Sequence, residues 1–339
     1  MKTKLLKANE KSIALACELL KKGEVVGVPT ETVYGLAGDS TNPAAIKKIF
    51  EAKGRPADNP LIVHIGNIEM LDGIVREFNE DAQKLADAFW PGPLTIIMPK
   101  GDKICKETSA GLDSVGVRMP ANEIAREIII KSGIAFSAPS ANLSGKPSPT
   151  IAEDVFADMN GKIPLIIDGG ECDAGVESTV VSVLGETPII LRPGIVTKED
   201  IEKVLNKPVL LAKEVTAGVT DTQVVLSPGM KYKHYAPNAK VTIVKSSLES
   251  FIDFVNQNLT ENTFVMCFEG EEKFMPTKAV AYGKQEDPKT QAHNLFSILR
   301  EMDKNHAEQI FVRCPDMTGI SLAVYNRLIR SAGFNIVEK

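Results

Sequence analysis

The stretch from 24 to 65 constrains the fold most, because polar side chains follow the apolar runs that predict two buried strands. The first run, 24–28, is followed by Thr30-Glu-Thr, and the second run, 61–65, contains His64. Between them, Asn42-Pro43 is typical of a helix start, and the helix is predicted to end near Gly54. A helix between two strands predicts an open α/β sheet, in which ligands bind outside the strand ends.

The polar groups of this stretch suit an anionic ligand. Lys53 and Arg55 fall around the predicted end of the helix, and Arg118 and Arg192 are predicted at the ends of later strands. Arginine presents a planar fork to carboxylate or phosphate, whereas lysine acts as a point charge. Taken singly, each residue is better explained as a solvated charge, and His64 as a structural histidine. Taken together, they predict one polar pocket for a ligand such as a polyphosphate nucleotide.

Composition excludes several classes of protein. The 339 residues are 43% hydrophobic and 24% charged with a net charge of −5, which indicates a soluble protein of two domains without an overall basic surface. No apolar run approaches the ~20 residues of a membrane span. The five cysteines show no paired spacing, so a zinc site is not expected and a reducing cytoplasm is favoured.

Three regions follow from the pattern along the chain. We predict a first domain at 1–208, a linker or lid at 209–240 and a second domain at 241–339, where strands alternate with helices. Within the first domain we also predict a helix at 68–76, a rigid Trp90-Pro-Gly-Pro turn and a capping box of Thr150 with Glu153. The linker carries aromatic residues, which a passive connector would lack.

Eight motifs run along the chain: PTETVYGLAGD from Pro29, KGRPADNPLIVHI from Lys53, WPGPLTII from Trp90, VGVRMP from Val115, SAPSANLSGKPSPT from Ser137, GVESTVV from Gly175, LRPG from Leu191 and SPGMKYKHYAP from Ser227. Together they resemble the YrdC-like family, specifically the two-domain threonylcarbamoyl-AMP synthases. The resemblance implies an α/β fold, with an open twisted mixed sheet around a cavity. A smaller Rossmann-like α/β domain is then joined to it by a structured linker that lies over the cavity.

The resemblance also implies an activity. Family members are nucleotidyltransferases that join L-threonine, bicarbonate or CO2, and ATP into threonylcarbamoyl-adenylate and release pyrophosphate. Mg2+ is expected on the ATP phosphates. A separate transferase complex then passes the threonylcarbamoyl group to the adenosine beside the anticodon of tRNA, so a direct tRNA contact is conceivable.

Site residues are carried over motif by motif. Threonine would be held by Thr32, His64, Arg118, Ala138 and Ser178. ATP would be held by Arg55, Asn59, Ser114, Ser140, Ser148, Arg192 and Tyr235. Lys53 and Arg55 would neutralise phosphate charge, and no residue is assigned as a covalent catalyst. Tyr232, His234 and Tyr235 would form a lid that excludes water.

Two other functions are open at this stage. A YrdC-like domain with a basic concave face could bind RNA without catalysis, although the acidic net charge weighs against it. Carbamoyl transfer to a protein in metallocentre maturation is the second alternative. Proteins of that kind carry zinc-type cysteine pairs, which this sequence lacks.

Overall fold

The computed structural model describes residues 2–57, 59–215 and 235–339, which form two compact units. The first unit contains the described residues up to 215, apart from the segments Gly145–Pro147 and Ala174–Val176. Those segments belong with the second unit, which otherwise begins at Tyr235 among the described residues. The predicted lid residues Tyr232 and His234 lie outside the described residues.

The first unit alternates strands and helices. Its strands are β1 Lys4–Lys7, β2 Val26–Val28, β3 Gly35–Asp39, β4 Ile62–His64, β5 Leu94–Pro99, β6 Ser114–Arg118, β7 Phe136–Ser137, β8 Leu165–Asp168, β9 Thr179–Ser182, β10 Ile189–Arg192 and β11 Leu210–Leu211. Its α-helices are α1 Glu10–Lys21, α2 Pro43–Lys53, α3 Glu80–Phe89, α4 Lys106–Ser109, α5 Glu123–Ser132, α6 Ala152–Met159 and α7 Lys198–Leu205.

Within the described residues these strands form one mixed eleven-stranded sheet in the order β1-β8-β2-β3-β7-β4-β6-β5-β9-β10-β11. The sheet contains both parallel pairs, such as β4 with β6, and antiparallel pairs, such as β5 with β6. The predicted fold class, an open mixed α/β sheet with a second α/β unit, is confirmed.

Helices cover both faces of this sheet. Successive residues of a strand point to opposite sides, so an apolar strand presents hydrophobic side chains on both faces. Val26 and Val28 of β2 pack with Ile13 of α1 and Ile128 of α5. Ile166 of β8 packs on the opposite face with residues of α2 and α6. The central strands are therefore buried on both faces, whereas the edge strands β1 and β11 are partly or fully exposed.

The predicted start and end of α2 are confirmed. The Asn42 side chain accepts hydrogen bonds from the backbone N–H groups of Ala44 and Ala45, and Pro43 is the first helical residue. Gly54 follows in the left-handed conformation with φ of 62°, which an L side chain rarely adopts. These local signals are strong because they involve neighbouring residues only.

Two predictions of local structure are wrong. The helix predicted at 68–76 is a short 3-10 helix, Ile68–Leu71, because Gly73 turns the chain with φ of 73°. The capping box predicted at Thr150 is also absent. Helix α6 has Ile151 at its N-cap without a side-chain hydrogen bond, and the Thr150 carbonyl instead accepts from Cys172 N at 2.9 Å.

Strands β1 and β3 were missed by the sequence analysis. Gly35-Leu-Ala-Gly has low strand propensity, and its strand exists because β2 and β7 pair with it on either side. Such pairing depends on tertiary context rather than on local preference.

The second unit contains β12 Lys240–Lys245, α8 Leu248–Gln257, β13 Thr263–Cys267, β14 Lys278–Ala281, α9 Pro288–Lys304, β15 Gln309–Arg313, α10 Ser321–Ser331 and β16 Ile336–Glu338. Its described strands have the order β14-β13-β15-β12-β16, and neighbouring strands are parallel. The small parallel sheet predicted after 241 is confirmed. No helix in the described part of the chain is both long and apolar enough to cross a membrane.

Candidate functional site

Arg118, the last residue of β6, lies at the centre of a buried polar cluster. Its side chain is 4% exposed. Nε donates to the carbonyl of Gly92 at 3.2 Å, and Nη1 donates to Thr32 Oγ1 at 2.9 Å. Nη2 lies 2.6 Å from Glu31 Oε1. A cation is thus fixed at a strand end by three groups from two separate parts of the chain, residues 31–32 and Gly92.

His64 lies beside Arg118 because their strands are adjacent. In the parallel pairing of β4 and β6 these two residues are opposite each other, and on the other side His64 is opposite Phe136 of β7. The imidazole stacks on the Phe136 ring with 5.8 Å between centroids. Burial, and to a smaller extent the Arg118 charge, lowers the pKa of His64 to about 3, so the ring is neutral at physiological pH.

The hydrogen bond of His64 assigns its tautomer. Nδ1 lies 3.2 Å from the Ile62 carbonyl, which can only accept, so Nδ1 carries the hydrogen and Nε2 a lone pair. The same carbonyl accepts from the backbone N–H of Ala138 at 3.2 Å. The structure therefore brings together the predicted threonine residues Thr32, His64, Arg118 and Ala138.

Glu31 belongs to this cluster but was not assigned a role from the sequence. It is 8% exposed. Burial raises the pKa of its carboxyl, but the Arg118 charge and the backbone N–H groups of Ala121 and Glu31 outweigh burial, so the pKa lies below its ordinary value. The signal that could have found it is its position between two hydroxyl residues just after a buried strand.

The predicted Trp90-Pro-Gly-Pro turn connects this cluster to the next one. Gly92 offers its carbonyl to Arg118, and the Pro93 carbonyl accepts from Thr179 N at 3.0 Å. A Cβ on Gly92 would lie 2.4 Å from the carbonyl oxygen of Phe89, so no larger residue fits without a backbone shift. The carbonyls of two consecutive residues of the turn thereby accept hydrogen bonds from Arg118 and from the start of β9.

Ser178 and Arg192 form the second cluster. Arg192 donates from Nε to the Ser178 carbonyl at 3.0 Å and from Nη2 to Ser178 Oγ at 3.1 Å. Thr95 of β5 lies 2.8 Å from the same Oγ and lines a small cavity together with Ser114. Ser178 was predicted to bind threonine, and Arg192 and Ser114 to bind ATP. Arg192 thus contacts Ser178, and Ser114 lines the same cavity as Thr95.

Lys53 and Ser140 form a third cluster. The buried Lys53 ammonium donates to the carbonyls of Ser140 and Asn142, the latter at 3.0 Å. Asn142 was missed by the sequence assignments, although it lies in the same small-residue loop. The contact fixes the end of α2 to that loop.

The remaining predicted residues have different surroundings. Asn59 is fully buried, and its side-chain amide has no hydrogen-bond partner among the described residues. Ser148 Oγ lies 2.5 Å from Glu177 Oε1. Arg55 is half-buried over the Phe50 ring and borders a surface depression of about 630 Å³. Tyr235 lies in the second unit and packs on Phe296 with 5.2 Å between ring centroids.

The described residues contain no group of three or more His, Cys, Asp or Glu side chains that could hold a metal ion. Burial raises the pKa of the Cys172 thiol far above its usual range, so this buried sulfur stays protonated and is a poor nucleophile.

Comparisons with known proteins identify the family of this chain. Residues 18–194 match the Sua5/YciO/YrdC family, described as telomere recombination, and residues 196–333 match a family described as the C-terminal domain of threonylcarbamoyl-AMP synthase. The chain is 43% identical to the threonylcarbamoyl-AMP synthase of Bacillus subtilis, with 98% of this chain and 96% of the relative covered. The corresponding enzyme of Pyrococcus abyssi is 42% identical, with 97% and 96% covered.

A solved structure of P. abyssi Sua5 complexed with L-threonine is similar with a TM-score of 0.90 and 39% identity, covering 99% of this chain and all of that one. Both units are thus accounted for by one kind of protein. The chain belongs to the Sua5/YciO/YrdC family, in the two-domain form whose relatives are threonylcarbamoyl-AMP synthases.

Proposed function

We propose that this protein is a threonylcarbamoyl-AMP synthase. It makes L-threonylcarbamoyladenylate and pyrophosphate from L-threonine, bicarbonate or CO2, and Mg–ATP. The observation that carries this proposal is the buried cation Arg118 beside Thr32 and the neutral imidazole of His64. A carboxylate and a hydroxyl, the two groups at the ends of threonine, find complementary partners there.

Arg118 binds the threonine carboxylate. Of its five N–H donors, one is given to Gly92, one to Thr32 and one faces Glu31, which leaves one on each terminal nitrogen. Those two donors match the two oxygens of a carboxylate. His64 Nε2, which can only accept, receives the threonine hydroxyl, and Ser178 and the Ala138 backbone complete the pocket.

ATP lies beside the amino acid in this proposal. Its phosphates and sugar are held by Arg55, Asn59, Ser114, Ser140, Ser148, Arg192 and Tyr235. Lys53 contributes positive charge while its ammonium fixes the loop around Ser140. The Asn59 amide, buried without a partner in the described structure, suits a polar ligand group. The magnesium ion arrives on the phosphates as part of the substrate.

The reaction needs positioning and charge neutralisation more than a covalent nucleophile. The threonine ammonium gives one proton to solvent, and the neutral amine then adds CO2 and releases a second proton to solvent to form a carbamate. A carbamate oxygen then attacks the α-phosphorus, and pyrophosphate leaves. Arg118, Arg192 and Lys53 stabilise the anions that meet in this step, and dry surroundings protect the mixed anhydride from hydrolysis.

The wider setting is also part of the proposal. The adenylate serves the first step of N6-threonylcarbamoyladenosine modification of tRNA, and a downstream transferase complex consumes it. The five cysteines are free thiols, which fits the reducing cytoplasm. We retain the predicted domain boundaries, with a catalytic domain at 1–208, a lid at 209–240 and a second domain at 241–339.

The test is pyrophosphate release by the full chain from Mg–ATP, with threonine and bicarbonate omitted in turn. We expect release that requires both. Release that continues without threonine would contradict the proposal. No release, combined with RNA binding that weakens steeply with salt, would favour an RNA-binding module.

A further inference from the structure

The pairing of Arg118 with Glu31 is unusual for a buried ion pair, because it leaves both partners incompletely satisfied. Nη2 and Oε1 are 2.6 Å apart, yet neither atom makes a hydrogen bond of good geometry with a described residue. The second carboxylate oxygen of Glu31 also makes no hydrogen bond of good geometry with a described residue, although the backbone N–H groups of Ala121 and Glu31 are near enough to lower the pKa of the carboxyl. Buried polar atoms without partners are rare in proteins and need an explanation.

Glu31 is a poor proton acceptor for the substrate amine. The α-ammonium of a peptide N-terminus has a pKa of about 8, and that of a free amino acid is higher, whereas a glutamate carboxyl has one of about 4.3 in water. The Arg118 charge holds the pKa of Glu31 below its ordinary value. Proton transfer from ammonium to this carboxylate is therefore disfavoured by a factor of roughly a thousand or more, so a role as general base does not explain the residue.

The charge of Glu31 has a different consequence. A buried guanidinium without a counter-ion attracts any anion, because electrostatic interactions are strong away from water. Every substrate and product of the proposed reaction other than CO2 carries negative charge, but threonine also carries a positive one. The Arg118–Glu31 pair has no net charge, so it attracts a simple anion only weakly. A zwitterion still gains from both members of the pair, because its carboxylate faces the guanidinium and its ammonium faces the Glu31 carboxylate.

We propose that Glu31 is a specificity-determining positioning residue that makes the Arg118 subsite select zwitterionic amino acids over simple anions. This inference rests on the proposed function, because it assumes that Arg118 receives the carboxylate of threonine. It assigns Glu31 two effects. The carboxylate orients the guanidinium through Nη2, and its charge keeps phosphate, pyrophosphate and bicarbonate from occupying the amino-acid subsite.

The test compares two ligands that differ at one group. 3-Hydroxybutyrate has the carboxylate and hydroxyl of threonine but no ammonium. Binding of each to the full chain is measured by calorimetry without ATP, in the wild type and in Glu31→Gln. We expect the wild type to prefer threonine strongly, and Glu31→Gln to reduce that preference by about tenfold or more and to let inorganic phosphate compete with threonine.

A purely structural role for Glu31 would weaken threonine and 3-hydroxybutyrate equally, and an unchanged ratio of the two would overturn the inference. Glu31→Asp keeps the charge and should retain discrimination. Glu24→Gln, which removes a partly exposed partner of Lys48, is the matched control and should leave the ratio unchanged.

If Glu31→Gln fails to fold, the wild type still decides the question. Strong competition by phosphate against threonine, or equal binding of threonine and 3-hydroxybutyrate, would overturn the inference. Failure of the proposed function is distinguishable, because it would appear as a lack of threonine-dependent pyrophosphate release. The inference about Glu31 is tested separately, by the ratio of the two binding affinities.

Discussion

The two units each bury an arginine–glutamate pair after a strand, and the pairs differ in how completely they are satisfied. In the second unit, Arg313 donates to both oxygens of Glu271 at 3.1 Å, and its Nη1 donates to the Ser246 carbonyl at 2.7 Å. Its guanidinium also lies over the rings of Phe251 and Phe268. In the first unit, Arg118 and Glu31 touch through one atom each and keep hydrogen-bonding capacity.

The difference separates a structural pair from the pair that we propose to bind a ligand. Arg313 and Glu271 satisfy each other with good geometry, so the pair holds together the ends of several strands. Arg118 retains donors that only a further group can use, which is the property of a binding site. The comparison suggests that hydrogen-bond completeness, rather than burial, distinguishes the two roles.

The largest effect is expected from breaking the structural pair. Glu271→Gln leaves the buried Arg313 charge without a counter-ion and should lower the free energy of unfolding of the second unit by about 3 kcal/mol. Thermal unfolding followed by circular dichroism measures it. Glu338→Gln, which removes the exposed partner of Lys245, should not shift the transition measurably, and the KM for threonine should stay unchanged in both variants.

The second effect is on ligand binding. Arg118→Lys keeps the charge but loses the fork that contacts Gly92, Thr32 and the ligand, so the KM for threonine should rise about 30-fold, which corresponds to ~2 kcal/mol. Pyrophosphate release at varied threonine concentration measures it. Arg313→Lys is the control. An unchanged threonine KM in Arg118→Lys would remove Arg118 from the amino-acid subsite.

The third effect depends on pH and concerns His64. Its pKa is about 3 in the folded protein and about 6.5 in the unfolded chain. As pH falls below 6.5, the unfolded chain binds a proton that the folded protein does not, so stability decreases by about 1.4 kcal/mol per pH unit until the folded pKa is approached.

Denaturant unfolding between pH 6.5 and 4.5 tests this, because Glu31 and the other carboxylates add their own dependence mainly below that window. His64→Gln should lose this part of the slope, and the exposed His306→Asn should keep it. Equal slopes in wild type and His64→Gln would mean that His64 is charged in the folded protein.

The smallest effect is expected at Thr95, which contacts Ser178 Oγ at 2.8 Å. Thr95→Val keeps the shape but removes one hydrogen bond, worth about 1 kcal/mol, so the threonine KM should rise about fivefold. Thr108→Val removes a comparable buried bond, to the Ser40 carbonyl, and should leave that KM unchanged. Equal effects of the two variants would indicate a general loss of stability.

Sequence analysis succeeded where neighbouring residues carry the information. Asn42, Pro43 and Gly54 bound α2 as predicted, and the alternation of strands and helices after 241 predicted each strand of the second unit. It failed at β3, whose glycines do not favour a strand, and at Thr150, where a capping motif is present without its hydrogen bond.

For the site, the strand-end pattern predicted a polar pocket that includes Thr32, His64 and Arg118, and the resemblance gave them their threonine-binding roles. Neither assigned a role to Glu31, Gly92 or Asn142. What the amino-acid sequence determined by itself was the family, most of the helices and strands, and the residue types available at strand ends. The tertiary structure decided which of them meet, because β4 lies between β6 and β7 and this order brings residues 64, 118 and 136 side by side. Local periodicity carries no information on strand order, so neither the partner of Arg118 nor the neutral state of His64 was available before the sheet was known.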